Sequence, residues 1–272
     1  EAERNNFDLI IHLGDFAYDL DSENALVGDE FMRQIQPIAA LVPYMTCPGN
    51  HEYAYNFSNY ANRFSMPGSV PNLFYSFDVG PVHFVSISTE VYYFYKEFGT
   101  EMIGHQYDWI QKDLQKANLP ENRSKRPWIV MFGHRPMYCT NIPPRCNNEI
   151  TRTGLDGQWA LEPFLKDYGV DLVFWAHEHS YERLYPLYNN TMYKGSEEHP
   201  YVNPGAPVHI ITGSAGCSEG YRPFRNNTSD WSAFRSVEYG YTRFAAHNKS
   251  HIYTHQKCLG INIYFCNNFS PD

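Results

Sequence analysis

Four short motifs, each directly after an apolar run, constrain most what this chain can fold into. They are Gly14-Asp15-Phe16-Ala17-Tyr18, Gly49-Asn50-His51-Glu52, Gly133-His134 and His177-Glu178-His179. The runs before them, residues 7–13, 41–47, 128–132 and 170–176, read as buried strands. Polar, metal-capable side chains at four strand ends require a fold that gathers those ends. Open α/β sheets do so, because their ligands sit beyond the carboxyl ends of the strands.

The remaining pattern agrees with that class. Residues 28–40 carry Phe31, Met32, Ile35, Ile38 and Ala39 at helical spacing, with Pro37 near the end. Residues 105–118 form an amphipathic helix with Tyr107, Ile110, Leu114 and Ala117 on one side. Residues 155–168 read as a third helix closed by Gly169. Residues 74–78 and 82–87 flank Val79-Gly80-Pro81 as a hairpin, and 208–212, 241–246 and 251–255 read as further strands. Strands that alternate with helices and then meander predict an α/β layered domain of mixed β-sheets flanked by helices. At 272 residues one large domain suffices, taken as 1–256, with 257–272 as a divergent tail.

Charge and sequons bound the partners and the compartment. A net charge of −9 without a dense Lys/Arg cluster argues against a nucleic-acid partner. No apolar run reaches the roughly 20 residues of a membrane span. Asn56, Asn122, Asn189, Asn226, Asn227, Asn248 and Asn268 head Asn-x-Ser/Thr sequons, which as a group predict N-linked glycans and a secreted or lysosomal protein. The polar start at Glu1 is no signal peptide, so that route expects one upstream. The six cysteines fit an oxidising compartment, with Cys139 and Cys146 the favoured pair and two reduced thiols in a cytosolic enzyme the alternative.

The donor types suit two cations of different hardness. Asp15 supplies a carboxylate that can bridge them, and Tyr18 can reach the harder one. Free tyrosine holds its proton to about pH 10, so a phenolate ligand points to Fe(III). Asn50 is a neutral oxygen donor for the softer ion, and His134, His177 and His179 add nitrogens. His177 and His179, two positions apart, can face different metals. Alone, each motif reads as a turn, a core residue or a surface loop; their order and their places after strands carry the reading.

On these residues the chain resembles the purple acid phosphatases of the calcineurin-like metallophosphoesterases. Gly14-Asp15-x-x-Tyr18, Gly49-Asn50-His51-Glu52, His134 and His177-x-His179 carry the likeness. Residues 45–52 and 175–183 look especially like the large-form animal branch, and Tyr18 separates the match from Ser/Thr phosphatases and nucleotidases. The resemblance implies a layered metallophosphoesterase sandwich in which Asp15 bridges two metals. Tyr18 and His179 then hold Fe(III), while Asn50, His134 and His177 hold divalent Fe, Zn or Mn. Small phosphate monoesters are the implied substrates, cleaved at acidic pH by a metal-bound hydroxide, with His51 beside the phosphate.

The sequence also departs from that family. The first ligand of the family, an Asp in Asp-x-Gly one βα unit before Gly14, has no counterpart, since Asp8 lacks the following Gly. The chain therefore reads as lacking the first βα unit and the upstream β-sandwich of large forms. That keeps a rival reading open, a truncated, non-catalytic, metal-poor glycoprotein of the same fold. The histidines that plant relatives carry after the His134 strand are missing from 138–148, which leaves proton donation to His51 assisted by Arg135. Residues 257–266 match nothing in the family, and a Cys258–Cys266 disulfide has no support there.

Other candidates carry a blander reading. His12, His83 and His209 lie in apolar strands and read as satisfied imidazoles. His247, His251 and His255 recur at a spacing of four, but Asn248-Lys249-Ser250 between them reads as a hairpin turn. Tyr92-Tyr93-Phe94-Tyr95 is either an aromatic wall at the substrate entrance or core. Gly213-Ser214-Ala215-Gly216 lacks the lysine of a phosphate loop and reads as a tight turn.

Overall fold

The computed structural model describes residues 2–4, 6–68, 72–142, 150–226 and 229–258. Strand β1 (Ile10–His12) pairs in parallel with β2 (Tyr44–Thr46), and helix α1 (Leu26–Ala39) connects them. The register sets Ile10 opposite Tyr44 and His12 opposite Thr46, so both strands end on one edge. Phe31, Met32 and Ile35 of α1 turn toward the core, as their spacing predicts. Pro37 sits in the last turn of α1, just before the helix stops.

A larger sheet of seven strands follows. Its members are β3 (Tyr75–Val79), β4 (Val82–Ser86), β5 (Trp128–Phe132), β6 (Leu172–Trp175), β7 (Tyr181–Leu184), β8 (Val208–Thr212) and β9 (Ser232–Ser236). Their spatial order is β9-β7-β8-β6-β5-β4-β3. The central pairs β4–β5, β5–β6 and β6–β8 are parallel, while β3, β7 and β9 run antiparallel to their neighbours. Strands β5 and β6 are apolar along almost their whole length, as parallel strands covered on both faces must be.

One core cluster joins Leu13, Met45 and Cys47 of the small sheet to Phe84, Val130, Phe132 and Phe174 of the large one. On the other face, α2 (Glu101–Ala117) buries Ile103, Ile110 and Leu114 together with Ile129, Met131, Val173 and Trp175. Gln106 is buried there without penalty, because its side-chain amide bonds both Ser88 N–H and Ser88 carbonyl. A hairpin, β10 (Gly240–Ala246) with β11 (Ile252–Cys258), completes the described chain. This is the expected layered arrangement of mixed sheets flanked by helices.

Two local expectations change. The helix predicted over 155–168 is only α3, Glu162–Asp167. Asp156, Gly157 and Trp159 take positive φ, and Leu155 bridges back to Gln158, so residues before Glu162 form a turn. Strands β7 and β9 were not predicted, because buried Glu182 and Arg183 break the apolar pattern of Tyr181–Leu184. The Cys139–Cys146 and Asn227 and Asn268 expectations each involve residues outside those described. Cys258 is a free thiol, which removes the Cys258–Cys266 pairing.

Candidate metal centre

The loops after β1, β2, β5 and β6 meet at one point. Gly14 and Gly49 make this possible, since a Cβ on Gly14 would stand 2.6 Å from the Gly49 Cα. Gly14 also has φ +83°, a conformation that favours glycine. Beyond them, Asp15, Tyr18 and His177 all hold positive φ, at 55°, 44° and 59°. Such backbone persists only where the surroundings impose it, and it gathers at functional sites.

Four predicted ligands converge closely. His134 Nε2 lies 3.0 Å from Asp15 Oδ2, 3.2 Å from Asn50 Oδ1 and 3.2 Å from His177 Nδ1. Donor atoms of Asp15, His134 and His177 all fall within 4.8 Å of one another. On the other side, Tyr18 Oη lies 3.1 Å from His179 Nε2. An oxygen-and-nitrogen set that converges without apolar atoms between its members fits metal ions.

Supporting bonds aim these donors. His134 Nδ1–H donates to the Leu13 carbonyl at 2.6 Å, which turns Nε2 inward. His179 Nδ1–H donates to the Gly220 carbonyl at 2.9 Å and leaves Nε2 facing Tyr18. Asp15 Oδ1 accepts the His51 N–H at 3.1 Å. Buried Glu52 accepts N–H bonds from Gly49, Asp15 and Phe16, tying the first two loops together. Burial pushes its carboxyl up to about 7, assisted by the Asp15 charge.

The electrostatics follow from crowding. Burial opposes ionisation of Asp15, yet the His134 imidazole holds its carboxyl well below the usual range. Burial likewise opposes a charge on His134, but Asp15 raises it to about 9. Burial, a hydrogen bond with Cys217 and the Asp15 charge push the Tyr18 phenol well above its ordinary value. A phenolate there needs a strong positive charge beside it.

His51 and Arg135 take different places. His51 Nδ1 pairs with Asp19 at 2.8 Å, so Nε2 faces an open cavity. That cavity is lined by Asp15, Asn50, His51, His177, His179, Glu219 and Arg222. Arg135, expected to assist proton donation, places Nε on Glu90 at 3.0 Å and Nη1 3.1 Å from His177 Nε2, at the edge of the same site. It also stacks over Tyr93 at 4.4 Å.

Several functional neighbours escaped the sequence reading. Asp19, Glu90, Cys217, Glu219 and Arg222 carry no motif; Cys217 Sγ lies 3.1 Å from His179 Nδ1. The last three follow β8, so the rule that loops after apolar strands bear function pointed to them. Gly213–Gly216 begins this same loop. Of the residues set aside, His12 accepts from Tyr44 Oη at 2.7 Å, His209 bonds the Trp175 indole at 3.1 Å, and His83 bridges Asp78 and Asp113. His247 packs on Tyr253, His251 bonds Ser250, and His255 sits opposite Arg243. Tyr92 is fully buried, while Phe94 stacks on Tyr53 at 4.4 Å, so that aromatic run splits between core and surface.

Comparison with known proteins places this geometry. The calcineurin-like phosphoesterase family model matches residues 1–181, and a model for the iron/zinc purple acid phosphatase-like protein C region matches 206–257. Acid phosphatase type 7 of Danio rerio is 54% identical over 266 residues, which cover 94% of this chain and 59% of that protein. The Homo sapiens protein of that name is 54% identical over 261 residues with the same shares. The chain thus spans about three fifths of the length of these relatives. The structure of a purple acid phosphatase from yellow lupin seeds superposes with a TM-score of 0.78 at 27% identity, covering 94% of this chain and 45% of its own. The strand-end motifs, the converging donors and these likenesses agree that the chain belongs to the calcineurin-like phosphoesterase family, on its purple acid phosphatase branch.

Proposed function

We propose that this chain forms the hydrolytic centre of a purple acid phosphatase that cleaves small phosphate monoesters at acidic pH. The observation that carries this is the meeting of Asp15, Asn50, His134 and His177 beside the Tyr18–His179 pair. In this reading Asn50, His134 and His177 hold a divalent Fe, Zn or Mn, Tyr18 and His179 hold Fe(III), and Asp15 bridges both. Two such cations, when bound, make water acidic enough to attack and neutralise the charge of the phosphate.

The protein's own residues do the rest. Asp19 accepts the His51 Nδ1–H, so the doubly protonated ring presents its Nε2–H to the phosphate and gives that proton to the leaving oxygen, becoming neutral. Arg135, held by Glu90, places its positive charge beside the His177 ring, next to the proposed proton transfer. The net charge of −9 leaves nucleic acid out as a partner. Among the described residues no helix is long and apolar enough to cross a membrane. Asn56, Asn189, Asn226 and Asn248 are exposed and Asn122 is half-buried, which supports glycans and a secreted or lysosomal destination.

Elemental analysis of the purified chain, with its visible spectrum and its hydrolysis of an aryl phosphate, tests this reading. The expected result is about two metals per chain including iron, a purple band, and hydrolysis that is fastest in acid. A colourless, metal-poor chain without hydrolysis overturns the proposal in favour of the non-catalytic glycoprotein.

A further inference from the structure

The loop after β8 walls one side of the cavity and carries two charges that the hydrolytic reading does not use. Arg222 is placed firmly, its N–H donating to the His179 carbonyl at 3.0 Å. Its Nη2 reaches Glu219 Oε2 at 2.8 Å, and its side chain is only 22% exposed. The Arg222 Nε–H is shielded from solvent and has no hydrogen-bond partner among the described residues. A shielded guanidinium donor left unspent is costly, and the guanidinium that carries it lines the cavity.

Glu219 faces the same space. Its Oε1 stands 4.0 Å from His51 Nε2, and its Oε2 occupies Arg222. Glu219 therefore takes the place of an anion, bound to the cation and close to the imidazole that the phosphate must reach.

We infer that Arg222 is a substrate-binding residue that receives oxygens of the phosphate, and that Glu219 is its built-in counter-ion, exchanged for the substrate. This inference rests on the phosphatase reading and adds a named pair to it. The planar fork of arginine matches phosphate oxygens, and charge-assisted bonds of this kind are the stronger ones. The exchange gives the two residues opposite signs. Arg222 attracts phosphate, while Glu219 both occupies Arg222 and repels the incoming anion.

Calorimetric titration of the metal-loaded chain with inorganic phosphate tests the pair, with metal content and thermal unfolding measured for each variant. Arg222→Met should weaken phosphate about tenfold or more at unchanged metal content. Glu219→Gln should tighten phosphate several-fold, a change that a merely structural carboxylate does not produce. The corresponding steady-state signature is a rise in KM for Arg222→Met that exceeds its effect on kcat. Phosphate affinity within twofold of wild type in Arg222→Met, or weaker phosphate in Glu219→Gln, overturns the inference. Should Arg222→Met unfold or lose metal, the sign of the Glu219→Gln effect decides alone. A wild-type chain that holds metal but binds no phosphate overturns the inference, while one that holds no metal overturns the phosphatase reading beneath it.

Discussion

The two sides of the centre are built differently. Asp15, Asn50, His134 and His177 rise from the ends of paired strands, and bonds from Leu13, Glu52 and Arg135 fix the loops around them. Tyr18 and His179 lean instead on the loop after β8, through the Gly220 carbonyl and the Cys217 thiol. The first side inherits its precision from sheet register. The second depends on a loop that must be held by its own side-chain contacts. One centre thus combines a half set by sheet register and a half set by loop contacts, and substitutions should separate them.

The largest effect should come from the residue that serves both halves. On the proposed reading Asp15→Asn removes a charge shared by both metals, and its loss should exceed the roughly 10–100-fold cost of removing a supporting hydrogen bond. Elemental analysis should find both metals nearly gone, and hydrolysis should fall with them. Retention of both metals at near-normal turnover would place the bridge elsewhere. A smaller and one-sided effect is expected from Tyr18→Phe and Cys217→Ala. Tyr18→Phe should bleach the visible band and lower iron content while the divalent metal stays. Cys217→Ala should shift that band and weaken iron only a few-fold, since the thiol contacts both Tyr18 and His179. An equal loss of both metals in either variant would erase the distinction between the halves.

That distinction also explains what the sequence made legible. Loops after β1, β2, β5 and β6 announce themselves, because an apolar run stops at a glycine and metal-capable side chains follow at once. Cys217, Glu219 and Arg222 also follow a strand, yet their chemistry exists only through His179 and His51, which lie far away in sequence. Glu52 was visible as a letter in its motif, but its three N–H bonds belong to a turn that sequence cannot fold. In the sheet, Glu182 hid β7, because a buried carboxylate satisfied by Thr140 and Ser232 defeats any hydrophobic count. The late start of the helix expected over 155–168 is hidden as well, since Asp156 and Trp159 adopt conformations that their residue types do not advertise.

Acid separates a loop from the sheet in the last and smallest test. Burial raises Glu52 from 4.5 to about 7, so the folded chain binds the extra proton between those values. Stability from that group therefore grows as pH falls from about 7 to 4.5. Burial lowers His209 from 6.5 to about 3, so there the unfolded chain binds the extra proton. Its contribution is complete above 6.5 and is lost as pH falls toward 3. Between 4.5 and 6.5 these two slopes oppose each other, and below 4.5 the His209 loss continues alone. His209→Phe keeps a ring beside Trp175, whose plane lies 14° from the imidazole, but leaves the indole N–H unpartnered. It should cost about 1–2 kcal/mol near neutrality. Below pH 4.5 it should flatten the fall in stability by about 1.4 kcal/mol per pH unit, the share of one proton. Urea unfolding from pH 3 to 7 measures both quantities. An unchanged acid slope would mean that the sheet imidazole does not govern acid tolerance, and that the loops around the metal ligands do.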